Sequence, residues 1–127
     1  MGRSGPETRV LVVDADARSL ELLAVALLDS GFAVRTAASA AEALAEARKR
    51  PPSLVLTDIA MPEMDGFQLC AAFRGDPGLG GVPIVLLAGG QVDPRLRECG
   101  TTAGASDYLT KPVDLPRLVQ VIHRLSA

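Results

Sequence analysis

Five short apolar runs, each followed by a stretch with apolar residues three and four apart, set the rhythm of this chain. The first run, Arg9 to Val13, ends at Asp14-Ala15-Asp16, and Leu20, Leu23, Ala24, Leu27 and Leu28 then recur at helical spacing until Gly31 supplies a stop. Phe32 to Thr36 alternates weakly as a second, shorter strand. Ala40, Ala43, Leu44 and Ala47 follow as a small-residue helix face that ends in Arg48-Lys49-Arg50, where basic charge suits a helix C-terminus. Pro51 and Pro52 introduce the third run, Leu54 to Leu56, which is short and partly β-branched and so reads as a buried strand. A helix from about Gly66 carries Leu69, Cys70 and Phe73 and closes at the turn cluster Gly75-Asp76-Pro77-Gly78.

Ile84 to Leu87 is the fourth buried strand, ending at Ala88-Gly89-Gly90. The segment from Gln91 to Gly104 has the weakest helical pattern, because Pro94, Gly100 and Thr101-Thr102 lower helix propensity, and a short or mobile helix is expected there. Ser106 to Leu109 is a fifth strand and Lys111-Pro112 a tight corner. Leu115, Leu118, Val119, Ile122 and Leu125 form the buried stripe of a last helix. Alternation of this kind predicts an α/β fold, a parallel sheet with helices on both faces joined by right-handed crossovers.

Composition narrows the picture. At 127 residues and 48% hydrophobic content, one domain spanning residues 9–126 is expected, behind a disordered lead-in over residues 1–8. A net charge of −2, from 13 basic and 15 acidic residues, provides no field for gripping a phosphate backbone, so direct nucleic-acid binding is not expected. Cys70 and Cys99 lack the spacing of a zinc site or a disulfide framework, and neither a leader sequence nor a membrane span is readable. A reducing, cytoplasmic setting without membrane contact fits these features.

The candidate chemistry lies at strand ends. A parallel strand covered on both faces carries its polar groups at its ends, and in open α/β sheets ligands bind outside the carboxyl ends. Asp58 stands at the exit of the third strand, before a loop shaped by Pro62 and Gly66. If the exits of strands one, three and five converge, Asp14, Asp58 and Lys111 meet. Two carboxylates and a backbone carbonyl suit a hard cation such as magnesium, while Lys111, one of two lysines, would neutralise an oxyanion. A carboxylate so placed can take up a phosphoryl group, since that transfer needs mainly positioning and charge neutralisation.

Val10-Leu11-Val12-Val13-Asp14, the loop Asp58-Ile59-Ala60-Met61-Pro62-Glu63-Met64-Asp65-Gly66, and Gly104-Ala105-Ser106-Asp107-Tyr108-Leu109-Thr110-Lys111-Pro112 resemble the CheY-like receiver domain of two-component response regulators. The resemblance spans residues 9 to 126 and implies a flavodoxin-like (βα)5 sheet in the order 2-1-3-4-5. It implies that Asp58 accepts a phosphoryl group from a histidine kinase or phosphotransfer protein and that Asp14, Asp58 and the Ala60 carbonyl bind magnesium. Lys111 would pair with the phosphate, a cis peptide would precede Pro112, and at most self-catalysed phosphoryl transfer and autodephosphorylation would occur. Output would pass to a downstream protein or output domain through the fourth helix, strand five and the last helix.

Two positions depart from that pattern. Ala15 replaces a second acidic residue, which predicts a weakened magnesium site, with Asp16 either moving in as a ligand or capping the first helix. Ala88 replaces a Ser or Thr whose hydroxyl would bond the phosphate and draw in the matching aromatic residue, Tyr108. These departures support a second reading, a docking module that keeps the receiver fold without responding to phosphate. A third is a haloacid dehalogenase-like phosphatase using Asp14 and Asp16, but Arg18 departs from that motif and the chain leaves little room for a cap. His123 is expected at the surface, Glu63 and Asp65 solvated on their loop, and Cys70 and Phe73 in the core.

Overall fold

The computed structural model describes residues 7–90 and 93–126. Most of the expected lead-in therefore lies outside the described residues. Strands β1 (Arg9–Val13), β2 (Ala33–Ala37), β3 (Leu54–Asp58), β4 (Ile84–Ala88) and β5 (Asp107–Thr110) alternate with helices α1 (Ala17–Asp29), α2 (Ala40–Lys49), α3 (Gly66–Gly75), α4 (Pro94–Ala103) and α5 (Leu115–Ser126). All pairings are parallel and the sheet order is β2-β1-β3-β4-β5. Expectation and structure agree on architecture and differ by a residue or two at the ends of β2 to β5.

The strands' continuous apolar runs are explained by two cores. Leu11, Val13, Val55, Ile84, Leu86 and Tyr108 pack on one face with residues of α2 and α3, including Leu44, Leu69 and Phe73. Val10, Val12, Leu54, Leu56, Val85 and Leu87 face the other way, against Leu27 of α1 and Leu118, Val121 and Ile122 of α5. Alternate residues thus enter opposite cores, leaving the strand ends for polar groups. Val121 joins the α5 stripe unanticipated, while Leu115, Val119 and Leu125 are only partly buried. His123 is exposed, with its ring 5.2 Å from that of Phe32. No helix among the described residues is long and apolar enough to cross a membrane.

Helix ends account for two corrections. Asp65, expected to be solvated, caps α3: it accepts from the Gln68 N–H at 2.9 Å, while the Gln68 side chain accepts from the Asp65 N–H, closing a capping box. Glu63 does remain exposed, at a positive φ of 70°. Pro94 does not interrupt the fourth helix but opens it, at a position where its missing N–H costs nothing, behind the Asp93 cap. Gly100 lies close on the sheet, where a Cβ would stand 2.9 Å from Leu86 Cδ1, and Gly104 ends the helix in the left-handed region. The segment accordingly holds a ten-residue helix.

Gly66 has the tightest surroundings near the Asp58 loop. A Cβ there would lie 2.8 Å from the Asp58 carbonyl oxygen and 2.9 Å from Ile59 Cα, both backbone atoms. Gly66→Ala is therefore expected to cost roughly 1–3 kcal/mol, read as a lower midpoint in urea unfolding. Burial also pushes the Cys70 thiol up to about 11, whereas Cys99 is exposed. A thiol reagent at mildly alkaline pH should titrate one cysteine in the native protein and both after denaturation; rapid native reaction of both would contradict this packing.

Candidate functional site

The exits of β1, β3 and β5 converge at the carboxyl edge of the sheet. Asp14 follows β1, with its backbone N–H bonded to the Ala37 carbonyl, and its side chain is buried. Asp58 is the last residue of β3, and the next N–H, that of Ile59, bonds to the Leu87 carbonyl. Lys111 leaves β5 with its N–H on the Ala88 carbonyl at 2.8 Å, and the Lys111-Pro112 peptide is cis. Because β4 lies between β3 and β5, the lysine must cross the end of β4 to reach the carboxylates. Its Nζ stands 3.3 Å from Asp58 Oδ1 and 3.4 Å from Asp14 Oδ2. One ammonium thus links two poorly solvated carboxylates, with side-chain exposures of 14% for Asp58 and 6% for Asp14.

Asp16 takes the capping role of the two weighed for it. Its Oδ2 accepts from the Ser19 hydroxyl and its Oδ1 from the Arg18 N–H, each at 3.1 Å, and these bonds, that of Ser19 foremost, hold its carboxyl below the usual carboxylate range. Its backbone N–H donates to Asp14 Oδ1 at 2.9 Å and so helps orient that carboxylate. The Asp16 side chain does not join the Asp14–Lys111–Asp58 group. Ala15 offers no carboxylate, and no cluster of three or more acidic, cysteine or histidine ligands occurs among the described residues. Ala60 is exposed on the loop after β3.

Ala88 ends β4 and shares a core face with Tyr108 of β5. The Tyr108 ring is buried, and its hydroxyl has no hydrogen-bond partner among the described residues. Sequence reasoning did not anticipate Arg97, whose guanidinium lies 5.0 Å from the Tyr108 ring centroid and donates to the Tyr108 carbonyl at 3.3 Å. The Pro94 start and helical period place Arg97 one turn before Gly100, which was the available signal.

A parallel 2-1-3-4-5 sheet with two carboxylates and a lysine at its carboxyl edge defines a receiver-type signalling domain. Residues 10–123 match the family described as the response regulator receiver domain, and the chain belongs to this family of two-component systems. It is 37% identical over 115 residues to an uncharacterised 14.6 kDa protein of Leptolyngbya boryana, covering 91% of this chain and 87% of that one. It is 40% identical over 108 residues to response regulator PleD of Caulobacter vibrioides, covering 84% of this chain but only 23% of PleD. The Vibrio cholerae chemotaxis protein CheY4 superimposes with a TM-score of 0.88 at 31% identity, over 94% of this chain and 99% of that chain. The family is one of signalling domains rather than catalytic enzymes and typically binds magnesium.

The lowered Asp16 carboxyl has a definite signature. A group whose folded value is depressed contributes stability above its unfolded value and loses it as pH falls through the folded one. Asp16→Asn keeps a capping oxygen without the charge. The stability difference between wild type and Asp16→Asn should therefore be constant near neutral pH and close in acid below the ordinary value of 3.8. Urea midpoints measured in parallel would contradict this if both proteins lose stability equally.

Proposed function

We propose that Asp58 accepts a phosphoryl group from the phosphohistidine of a histidine kinase or phosphotransfer protein and that the domain signals by protein contact. The observation that carries this reading is Lys111 Nζ at 3.3 Å from Asp58 Oδ1. In the transfer an Asp58 carboxylate oxygen forms the new bond to phosphorus as the phosphorus–nitrogen bond breaks. The histidine nitrogen keeps the electron pair, and Lys111 offsets charge on the transferred oxygens. Asp14, Asp58 and the Ala60 carbonyl are the groups that would hold magnesium, which requires few carboxylates and keeps several waters. When bound, the cation neutralises phosphoryl oxygens. With Asp16 engaged at its helix, the absence of an acid at Ala15 supports a weakened metal site.

A donor protein has a suitable approach. Leu22, Val25 and Leu28 on α1 are more than half exposed, and an open groove of about 450 Å3 lined by Ser19, Leu22, Leu23 and Pro112 leads to Asp14 and Lys111. Its apolar character suits a partner helix laid beside the acceptor. For output, the surface of α4, β5 and α5 carries a second groove of about 290 Å3 between Arg97 and Arg117. Ala88 and the unpartnered Tyr108 hydroxyl favour one alternative, a phosphate-independent docking module.

Intact mass after incubation with magnesium and a small phosphodonor separates the two. A phosphoryl adduct is expected on wild type and none on Asp58→Asn. An adduct found only on the double variant Ala15→Asp with Ala88→Thr would replace the acceptor reading with the docking one.

A further inference from the structure

We propose that Arg97 is the positioning residue for Tyr108, so that the setting of this tyrosine is governed from α4 and not from the Asp58 site. Among the described residues, no polar group accepts from or donates to the Tyr108 hydroxyl. The same-face neighbours are Leu86, paired directly with Tyr108 across the β4–β5 ladder, and Ala88, which ends β4 with a methyl group. The hydroxyl is buried without a partner among the described residues, which disfavours the inward position, because an unmet buried hydroxyl retains its desolvation cost. Apolar burial of the ring offsets that cost, and any further contact that holds the ring adds to the inward position.

Arg97 supplies one from outside. Its guanidinium is stacked over the ring at 5.0 Å while donating to the carbonyl of the same residue at 3.3 Å, so one side chain grips both ring and backbone. It forms no ion pair with a carboxylate among the described residues, unlike Arg95 on the same helix, which pairs with Asp93. Gly100, one turn further along α4, lets the helix come close to the ring, as a Cβ built there would stand 3.7 Å from Tyr108 Cδ2. The ring is thus held between the α4 backbone and an α4 arginine. Charge arriving at Asp58 has no hydroxyl at position 88 through which to act on Tyr108. A partner touching α4 acts on it directly.

The test uses the contact between Tyr108 ring protons and Gly100 α protons, read as a nuclear Overhauser effect in the full chain. Tyr108 is the only tyrosine and tryptophan is absent, so its ring signals are identified directly. Wild type, Arg97→Ala and Arg97→Lys are compared before and after addition of magnesium and beryllofluoride, with the fluorine spectrum reporting the adduct. The contact should persist in wild type with and without the adduct. In Arg97→Ala it should fall below about half its intensity without any adduct, and Arg97→Lys, which keeps the cation but not the planar fork, should recover part of it. Full contact in Arg97→Ala, or a contact in wild type that changes when the adduct forms, would overturn the proposal. The Arg97 comparison requires no phosphoryl chemistry, so failure to form the adduct would count against the acceptor reading alone.

Discussion

Lys111 binds the two ends of the site together. Asp14 and Asp58 carry like charges at the exits of neighbouring strands, both largely removed from water, and a single ammonium 3.3 and 3.4 Å away offsets them. This arrangement follows from the sheet. With β1, β3 and β4 buried on both faces, their interior positions other than Thr57 belong to one of two apolar cores, and charged groups are accommodated only where the strands stop. The lysine enters from β5, beyond β4, so the site exists only when four strands are in register.

The surrounding backbone gives that edge its shape. The Gly66 N–H bonds to the Ile59 carbonyl, so the loop after Asp58 returns to the strand it left, and α3 begins close against the Asp58 carbonyl. On the other side the Lys111 N–H holds the Ala88 carbonyl ahead of a cis peptide. A carboxylate and an ammonium held by such short, bonded turns are positioned in advance.

The two alanines act on different parts of this machinery. Ala15 offers no carboxylate beside Asp14 and leaves the Asp14–Lys111–Asp58 group intact. Ala88 presents a methyl group on the core face it shares with Tyr108, whose hydroxyl has no partner among the described residues. Charge balance at the two carboxylates and the setting of Tyr108 therefore involve different groups in this chain. The first rests on groups that are present. The second involves an arginine on α4, whose guanidinium lies 5.0 Å from the Tyr108 ring centroid.

The sequence alone determined the order of five strands and five helices, because hydrophobic period and helix stops are local properties of the chain. It also marked Asp14, Asp58 and Lys111, each at the end of an apolar run, and the motif around them indicated the receiver family. Tertiary structure decided what local pattern leaves open. Asp16 and Asp65 are both acidic residues near helix starts, and only the folded geometry showed each accepting from a helix N–H. Pro94 and Gly100 lower helix propensity one residue at a time, yet Pro94 starts α4 behind the adjacent Asp93 cap and Gly100 lets the helix pack on Leu86, a neighbour distant in the chain. The meeting of Arg97 with Tyr108 is of the same kind: it joins a helix to a strand eleven residues away, and it arises from how α4 lies on the sheet.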